Sequence, residues 1–175
     1  MKYLFDTNIF IEPKNSYYDF SLCPGFWDWL KTCQDIGSVS EVRKELLDGN
    51  DQLVTWIKKE LKPNRFYNIS DTDIQECYHT IGDFIETCSF ETPVKQEFYN
   101  GADGWLVAAA LAKNATIVTH ERLDFNAKRR ISIPYVAHHF SIKFVKLFDV
   151  LNEYKVSFVL DPNFTHQSEV FQLLP

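Results

Sequence analysis

The sequence predicts an α/β fold in which helices flank a central, mainly parallel β-sheet. Short apolar runs alternate along the chain with segments of helical periodicity, and Thr116 to Thr119 suits a buried central strand. The 175 residues, 45% of them hydrophobic, are enough for one domain with a substantial core. No repeat, low-complexity tract or flexible linker interrupts the chain. We therefore expect one domain over residues 1–154 and a C-terminal extension, residues 155–175, packed on it.

The first half of the chain alternates short apolar runs with helical patterns. Tyr3 to Phe5 is expected to form a buried strand, followed by a loop that contains Glu12 to Asn15. Apolar residues recur at helical spacing in segments that we expect to be helices, at about 25–35, 53–61 and 74–88. Another helix begins near Glu41, and Ser38 resembles the first residue of a capping box. Phe66 to Ile69 suggests a second strand.

The second half is predicted to hold the most buried helix. Ala102 to Lys113 carries apolar residues on nearly all sides, and Asn114 ends this helix. Pro93 is expected in the loop before it. A further helix is expected at about 144–154, and Val156 to Leu160 could form an edge strand or an interaction tail.

The acidic composition allows two interpretations. The formal net charge is −6, whereas a dedicated nucleic-acid binder is more often basic. The chain is therefore either an ordinary acidic protein or a metal-dependent nuclease whose site carboxylates raise the acidic count. Its four cysteines form no C-x-x-C pair, and no histidine lies at zinc-finger spacing from them, so zinc is not expected. With no expected signal peptide or membrane span, the predicted location is a reducing cytoplasm.

Four acidic residues stand where hydrophobic segments begin or end: Asp6, Glu41, Asp103 and Glu121. Asp6 and Glu121 each follow a predicted strand, and the other two lie at helix starts. In an α/β fold, these places meet at the carboxyl edge of the parallel strands. Carboxylates gathered there repel one another unless a divalent cation neutralises them, and oxygen-only ligation suits Mg²⁺ or Mn²⁺.

Each of these acids also has an ordinary structural explanation. A polar residue after a strand commonly belongs to a turn, and Asp103 could simply cap its helix. The four together are more informative than any one of them, because their order along the chain matches the order of the predicted strand ends and helix starts.

The positions of the four acids resemble those of the PIN-domain nucleases, specifically the VapC-type toxins of bacterial toxin–antitoxin pairs. The matching stretches are Tyr3 to Phe10, Ser40 to Leu46, Ala102 to Ala110 and Ile117 to Glu121. The resemblance spans residue 3 to about residue 125. It implies a three-layer α/β/α fold and hydrolysis of RNA phosphodiester bonds with carboxylate-bound Mg²⁺ or Mn²⁺.

The resemblance also assigns roles to individual residues. The catalytic and metal-binding positions correspond to Asp6, Glu41, Asp103 and Glu121. The supporting polar positions correspond to Thr7, Asn8 and Thr119. Glu121 departs from the family pattern, in which an aspartate is more usual at the fourth position, and Asp124 is a competing fourth acid. Glu45 lies one helical turn after Glu41.

The same resemblance implies the partners. RNA is the expected substrate, a protein antitoxin and a second copy of the chain are expected partners, and no membrane interaction is expected. Basic residues that could contact RNA phosphates are Arg43, Lys128, Arg129 and Arg130. Trp105 and Tyr135 could stack on bases, although Trp105 suits the core better.

Two other functions remain open at the level of sequence. Phe5-Asp6-Thr7 resembles the nucleophile segment of haloacid-dehalogenase-type phosphatases, but Asn8 stands where that family usually has a second aspartate. The chain could also be a catalytically inactive PIN-like binding module, an interpretation that the acidic balance and Glu121 favour.

Overall fold

Five short strands form the centre of the fold, and their pairings are all parallel. In the computed structural model, which describes residues 1–159, the strands are β1 (Tyr3–Phe5), β2 (Ile36–Val39), β3 (Phe66–Tyr67), β4 (Thr116–Val118) and β5 (Phe144–Val145). Their order across the sheet is β3-β2-β1-β4-β5, so the first strand of the chain lies in the middle. The predicted α/β fold with a parallel sheet is confirmed.

Helices cover the sheet and complete a three-layer α/β/α arrangement. Within the described residues they are α1 (Asn8–Asn15), α2 (Pro24–Thr32), α3 (Ser40–Leu47), α4 (Gln52–Glu60), α5 (Thr72–Thr87), α6 (Thr92–Asn100), α7 (Asp103–Lys113), α8 (Ile133–His139) and α9 (Leu147–Glu153). A single 3₁₀ turn, Pro63–Arg65, precedes β3. No helix among residues 1–159 has the length and apolar character that crossing a bilayer requires.

The register of the central strands sets the geometry of one sheet edge. In β1, Tyr3 pairs with Ile36 of β2, and Phe5 pairs with Val118 of β4. All three strands run in the same direction, so their carboxyl ends lie along one edge. The residues that follow β1 and β4, Asp6 and Thr119, are therefore neighbours in space.

Helix α7 is buried because its small side chains allow close packing. Three successive residues in its centre are almost fully buried: Ala108, Ala109 and Ala110. A Cβ atom at Gly104 would lie 3.0 Å from the Tyr78 ring and 3.1 Å from the Phe98 ring, so glycine permits this approach. Trp105 stacks on Tyr78 with ring centroids 3.7 Å apart. Asn114, with a left-handed φ of 49°, ends the helix as predicted.

A buried arginine joins the end of α2 to the sheet. Arg65 is 7% exposed, and its Nε donates a hydrogen bond to the Ile36 carbonyl at 2.6 Å. Its Nη2 donates to the carbonyls of Leu30, at 3.4 Å, and Cys33. These backbone oxygens follow α2 or lie in its last turn, where helical partners are missing, so the guanidinium satisfies groups that would otherwise be buried without hydrogen bonds.

Two helices lie where the sequence predicted loops. Glu12 to Asn15 belongs to α1, whose interior contains Pro13, a residue that usually argues against a helix. Pro93 lies in the first turn of α6, where its missing N–H group costs nothing. Both loop predictions were wrong because they treated proline as a helix breaker without regard to its position.

Two strands were also missed, and one predicted cap is wrong. Ile36 to Val39 forms β2, where no strand was predicted, and Phe144 to Val145 forms β5, where the predicted helix at about 144–154 begins. Ser38 is not a helix cap, because its Oγ donates a hydrogen bond to the Phe5 carbonyl at 2.6 Å. The strands are so short that their apolar pattern gives little signal.

The start of the C-terminal extension lies against α2. Phe158 has its ring centroid 5.6 Å from that of Tyr18 and 6.5 Å from that of Phe26. Residues 156–159 form no regular element, and the rest of the suggested strand or tail lies outside the described residues.

Candidate functional site

Asp6 is the most deeply buried of the predicted site acids. It follows β1, is 3% exposed, and its Oδ2 accepts a hydrogen bond from Thr119 Oγ1 at 2.9 Å. Burial raises the pKa of Asp6 to about 7, and the negative charges of Asp103 and Glu121 act in the same direction. The hydrogen bonds from Thr119 and from the Asn8 backbone favour the ionised form but only partly offset these effects.

Asp103 faces Asp6 from the first turn of α7. Burial raises its pKa to about 6, and the charges of Glu121 and Glu45 add to this effect, whereas Arg130 lowers it. The sheet edge and the start of α7 thus bring together carboxylates that are far apart in the chain. Three of the four predicted acids, Asp6, Asp103 and Glu121, influence one another electrostatically.

Glu121 is held by hydrogen bonds at both its backbone and its carboxylate. Its own N–H donates to Thr119 Oγ1 at 3.1 Å, and its Oε2 accepts the Ile133 N–H at 2.8 Å. Lys146 Nζ donates to the carbonyls of His120 and Glu121 and fixes the turn after β4. Asp124 instead accepts the Asn126 N–H at 2.8 Å in a local turn. Of the two competing fourth acids, Glu121 is therefore the one at the site.

Glu45 lies at the site where Glu41 was expected. The carboxylate of Glu41 accepts a hydrogen bond from Ser40 Oγ and pairs with Lys44. Glu45 accepts hydrogen bonds from Thr7 Oγ1 and, at 3.0 Å, from the Ala102 N–H. It therefore joins the end of β1 to the start of α7. Glu41 and Glu45 share a helix face because they are four positions apart. Glu45, one turn further along α3, is the one that contacts Thr7 and Ala102.

Arg130 lies between two of the acids. Its Nη2 is 3.2 Å from Asp103 Oδ2, and it also contacts Glu121 Oε1 in an ion pair that lacks hydrogen-bond geometry. Burial opposes the charge on this guanidinium, but Glu121 and Asp103 more than offset burial and raise its pKa. Because the Arg130 side chain is 55% exposed, it can reach solvent and the acids at the same time.

Asp6, Glu45, Asp103 and Arg130 line a cavity of about 290 Å³ at the carboxyl edge of the sheet, and Glu121, which pairs with Arg130, lies outside the lining. The polar lining of the cavity comprises Asp6, Thr7, Asn8, Glu45, Glu97, Asp103 and Arg130. Glu97 was not predicted as a site residue, because the sequence analysis placed Pro93 in a loop and predicted no helix at α6. The Thr92-Pro93 pair, which suits a helix start, was the available signal.

The other predicted basic residues are distributed differently. Arg43 lies over the Phe66 ring, 5.8 Å from its centroid, and is not among the residues that line the acidic cavity. Lys128 lines a neighbouring cavity, and Arg129 is exposed. Of the predicted phosphate-binding residues, Arg130 is the one that the fold brings to the acids.

The side chains at the acidic cavity offer the type of ligand atom that a hard divalent cation prefers. Asp6, Glu45, Asp103 and Glu121 offer only oxygen, which Mg²⁺ and Mn²⁺ prefer. Asp6 and Asp103 have raised pKa values, and a bound cation would lower them by favouring the ionised carboxylates. Within residues 1–159, however, no three His, Cys, Asp or Glu side chains are arranged to hold a metal ion. A cation bound by Asp103 and Glu121 would compete with the Arg130 guanidinium, which pairs with both acids.

Comparison with known proteins gives a family for the chain. The model of a family described as "Domain of unknown function (DUF4411)" matches residues 3–158. The chain belongs to this family. The matched range includes the residues that line the acidic cavity, from Asp6 to Ile131. Comparisons with curated proteins and with solved structures gave no match.

Proposed function

We propose that this DUF4411 protein is a metal-dependent ribonuclease that hydrolyses RNA phosphodiester bonds at the carboxyl edge of its sheet. The observation that carries the proposal is the burial of Asp6 beside Asp103 and Glu121, with the pKa of Asp6 raised to about 7. Buried carboxylates that repel one another reduce stability, so such a cluster is typical of a functional site, and a bound cation would relieve the repulsion. The resemblance to PIN-domain nucleases supports the same conclusion.

Four acids would hold the Mg²⁺ or Mn²⁺: Asp6, Glu45, Asp103 and Glu121. When bound, such an ion would lower the pKa of a water molecule, so that it attacks at neutral pH, and would neutralise negative charge on the phosphate. Thr119 keeps the Asp6 carboxylate in place, and Thr7 does the same for Glu45. Arg130, half exposed at the mouth of the cavity, is in a position to bind a phosphate oxygen of RNA.

We further propose that the protein acts in the cytoplasm as the toxin of a toxin–antitoxin pair. Support comes from the resemblance to VapC-type toxins, and the four free cysteines fit a reducing compartment. In this proposal, a protein antitoxin blocks the acidic cavity, and a second copy of the chain forms a homodimer.

A second candidate function is that of a catalytically inactive binding module. The ion pairs of Arg130 with Asp103 and Glu121 favour it, because a fixed guanidinium could take the place of a catalytic cation. The two candidates differ in one property: the nuclease must release Arg130 and bind Mn²⁺, whereas the inactive module keeps the ion pairs.

The test is cleavage of fluorescent single-stranded RNA by purified protein with Mg²⁺, with Mn²⁺ and with EDTA. We expect cleavage with either cation, none with EDTA, and none by Asp6→Asn or Asp103→Asn. Asp124→Asn is the matched control, since Asp124 serves a local turn, and it should cleave normally. Equal cleavage by the unmodified protein and Asp6→Asn would exclude the proposed site. Release of phosphate from p-nitrophenyl phosphate without RNA cleavage would favour the phosphatase alternative.

A further inference from the structure

A second cavity, of about 500 Å³, lies beside the acidic one and has a different character. Three aromatic rings line it, those of Phe90, Phe125 and Tyr135, together with one acid and one base, Glu91 and Lys128. The proposed catalytic chemistry uses none of these residues. The exposed fraction of Phe125 is 62%, which is high for a large apolar side chain.

The two cavities have walls on the same two segments. Helix α6 and the turn before it form one wall, with Phe90 at the second cavity and Val94 at the acidic one. The segment between β4 and α8 forms the other wall, with Lys128 at the second cavity and Arg130 at the acidic one. A polymer bound at both cavities would therefore run along these two segments.

The aromatic rings are arranged as a partly open platform. The Phe90 and Tyr135 rings meet edge to face, with centroids 5.4 Å apart, and Phe125 meets Tyr135 in the same way at 6.3 Å. The Tyr135 hydroxyl donates to Cys88 Sγ at 3.7 Å and holds its ring. Phe84 stacks on the Tyr135 ring with centroids 6.1 Å apart, so the ring face that remains open to a planar ligand is that of Phe125.

The charged groups at this cavity are Glu91 and Lys128, so an anionic ligand must approach on the Lys128 side. Within residues 1–159, Lys128 and Arg129 take part in no ion pair, whereas Arg130 pairs with the site acids. A planar aromatic group attached to an anion would satisfy both the rings and Lys128. A nucleotide has these properties, since its base offers a π-face and its phosphate a negative charge.

We propose that the second cavity is a subsite for single-stranded RNA, in which one base lies against Phe125, beside Tyr135, and its phosphate contacts Lys128. This inference rests on the proposed ribonuclease function and gives it a substrate class, unpaired RNA, because a paired base cannot turn its face to the rings. The subsite holds a nucleotide next to the one whose phosphate enters the acidic cavity.

The test measures RNA binding without cleavage, by fluorescence anisotropy of a labelled single-stranded oligoribonucleotide with the Asp6→Asn protein. Adding Phe125→Ala should weaken binding about tenfold, the scale of one lost stacking contact, and Phe125→Tyr should restore it. Phe148→Ala is the matched control, since Phe148 is 55% exposed on α9 and does not line this cavity. Equal losses in the Phe125→Ala and Phe148→Ala proteins would overturn the subsite.

Oligoribonucleotides with a single abasic position give a second measurement. One abasic position should weaken binding by the Asp6→Asn protein about tenfold and have no further effect when Phe125→Ala is present. Unchanged RNA affinity in Phe125→Ala, the result expected if this surface binds a protein instead, would overturn the subsite alone. Phe125-dependent binding without any cleavage by the unmodified protein would overturn the ribonuclease proposal alone. Absence of RNA binding would overturn the subsite.

Discussion

The Thr119 hydroxyl donates a hydrogen bond to Asp6 Oδ2 at 2.9 Å, across the carboxyl ends of β1 and β4. The same oxygen accepts the Glu121 N–H at 3.1 Å. One fully buried hydroxyl therefore holds the Asp6 carboxylate and the backbone of Glu121, which are far apart in the chain.

Thr119→Val should lower RNA cleavage by about 10–100-fold, the usual effect of losing a side chain that orients a metal ligand. Valine keeps the shape but loses both hydrogen bonds. Thr119→Ser should retain most of the activity, and titration calorimetry should show weaker Mn²⁺ binding in the valine variant alone. A valine variant with normal Mn²⁺ affinity and activity would contradict the positioning role.

The two glutamates of α3 form a matched pair for the second prediction. Glu45→Gln should reduce cleavage and Mn²⁺ affinity at least tenfold, since Glu45 lines the cavity and holds Thr7 and Ala102. Glu41→Gln should leave both within about twofold, because Glu41 pairs with Ser40 and Lys44. The opposite result would restore the assignment first made from the sequence.

The raised pKa values predict how the stability of the metal-free protein depends on pH. Asp6 has a folded-state pKa of about 7, above its ordinary 3.8, and Asp103 has one of about 6. The folded state therefore binds protons more tightly than the unfolded state, and the free energy of unfolding falls as pH rises through this range. In EDTA, Asp6→Asn should be more stable than the unmodified protein at pH 8, on the order of 2 kcal/mol, and nearly equal at pH 4.

Thermal unfolding in EDTA at several pH values measures this effect. Addition of Mn²⁺ at pH 8 should raise the melting temperature of the unmodified protein and leave that of Asp6→Asn nearly unchanged, because the variant has lost a ligand. A melting temperature that rises steadily from pH 4 to pH 8 in both proteins would argue against the raised pKa of Asp6.

Arg130 and its neighbour Arg129 give the fourth prediction. Removing the guanidinium in Arg130→Ala should strengthen Mn²⁺ binding about tenfold, because the ion no longer competes with a positive charge at Asp103 and Glu121. The same change should lower metal-free stability at pH 8, since these acids lose their partner. Arg129→Ala should alter neither property. Weaker Mn²⁺ binding in Arg130→Ala would show that the guanidinium supports the cation rather than replacing it.

Arg65 gives a prediction about stability alone. Arg65→Met should reduce the free energy of unfolding by about 3 kcal/mol, because buried carbonyls such as those of Ile36 and Cys33 lose their hydrogen-bond donor. Urea denaturation followed by circular dichroism measures the change. The exposed variant Lys62→Met, three residues away, should stay within about 0.5 kcal/mol of the unmodified protein.

The sequence predicted the fold class well because the signal is repeated along the chain. Every apolar run and amphipathic segment carries part of the α/β pattern, and the buried helix behind Asp103 is visible from its alanines alone. Helices α1 and α6 were missed because proline near a helix end has two opposite meanings. Strands of two residues, such as β5, are too short to show a period of two.

The site was predictable only in part, for a geometric reason. Asp6 and Glu121 follow strands, and parallel strands end at a common edge, so their meeting follows from chain order. Glu41 and Glu45 share a helix face, and their sequence positions alone do not say which one reaches the edge. Arg130 lies in the irregular segment between β4 and α8, and the course of such a segment cannot be predicted from hydrophobic periodicity.

The shortness of β1 has a consequence for how this protein can change in evolution. Successive side chains of a strand point to opposite faces, so inserting or deleting one residue between Tyr3 and Phe5 would turn Asp6 away from Thr119. Three residues leave no room to absorb such a change with a bulge. Insertions and deletions should therefore occur in surface loops. The segment from Tyr3 to Asp6 should accept substitutions but not a change in length.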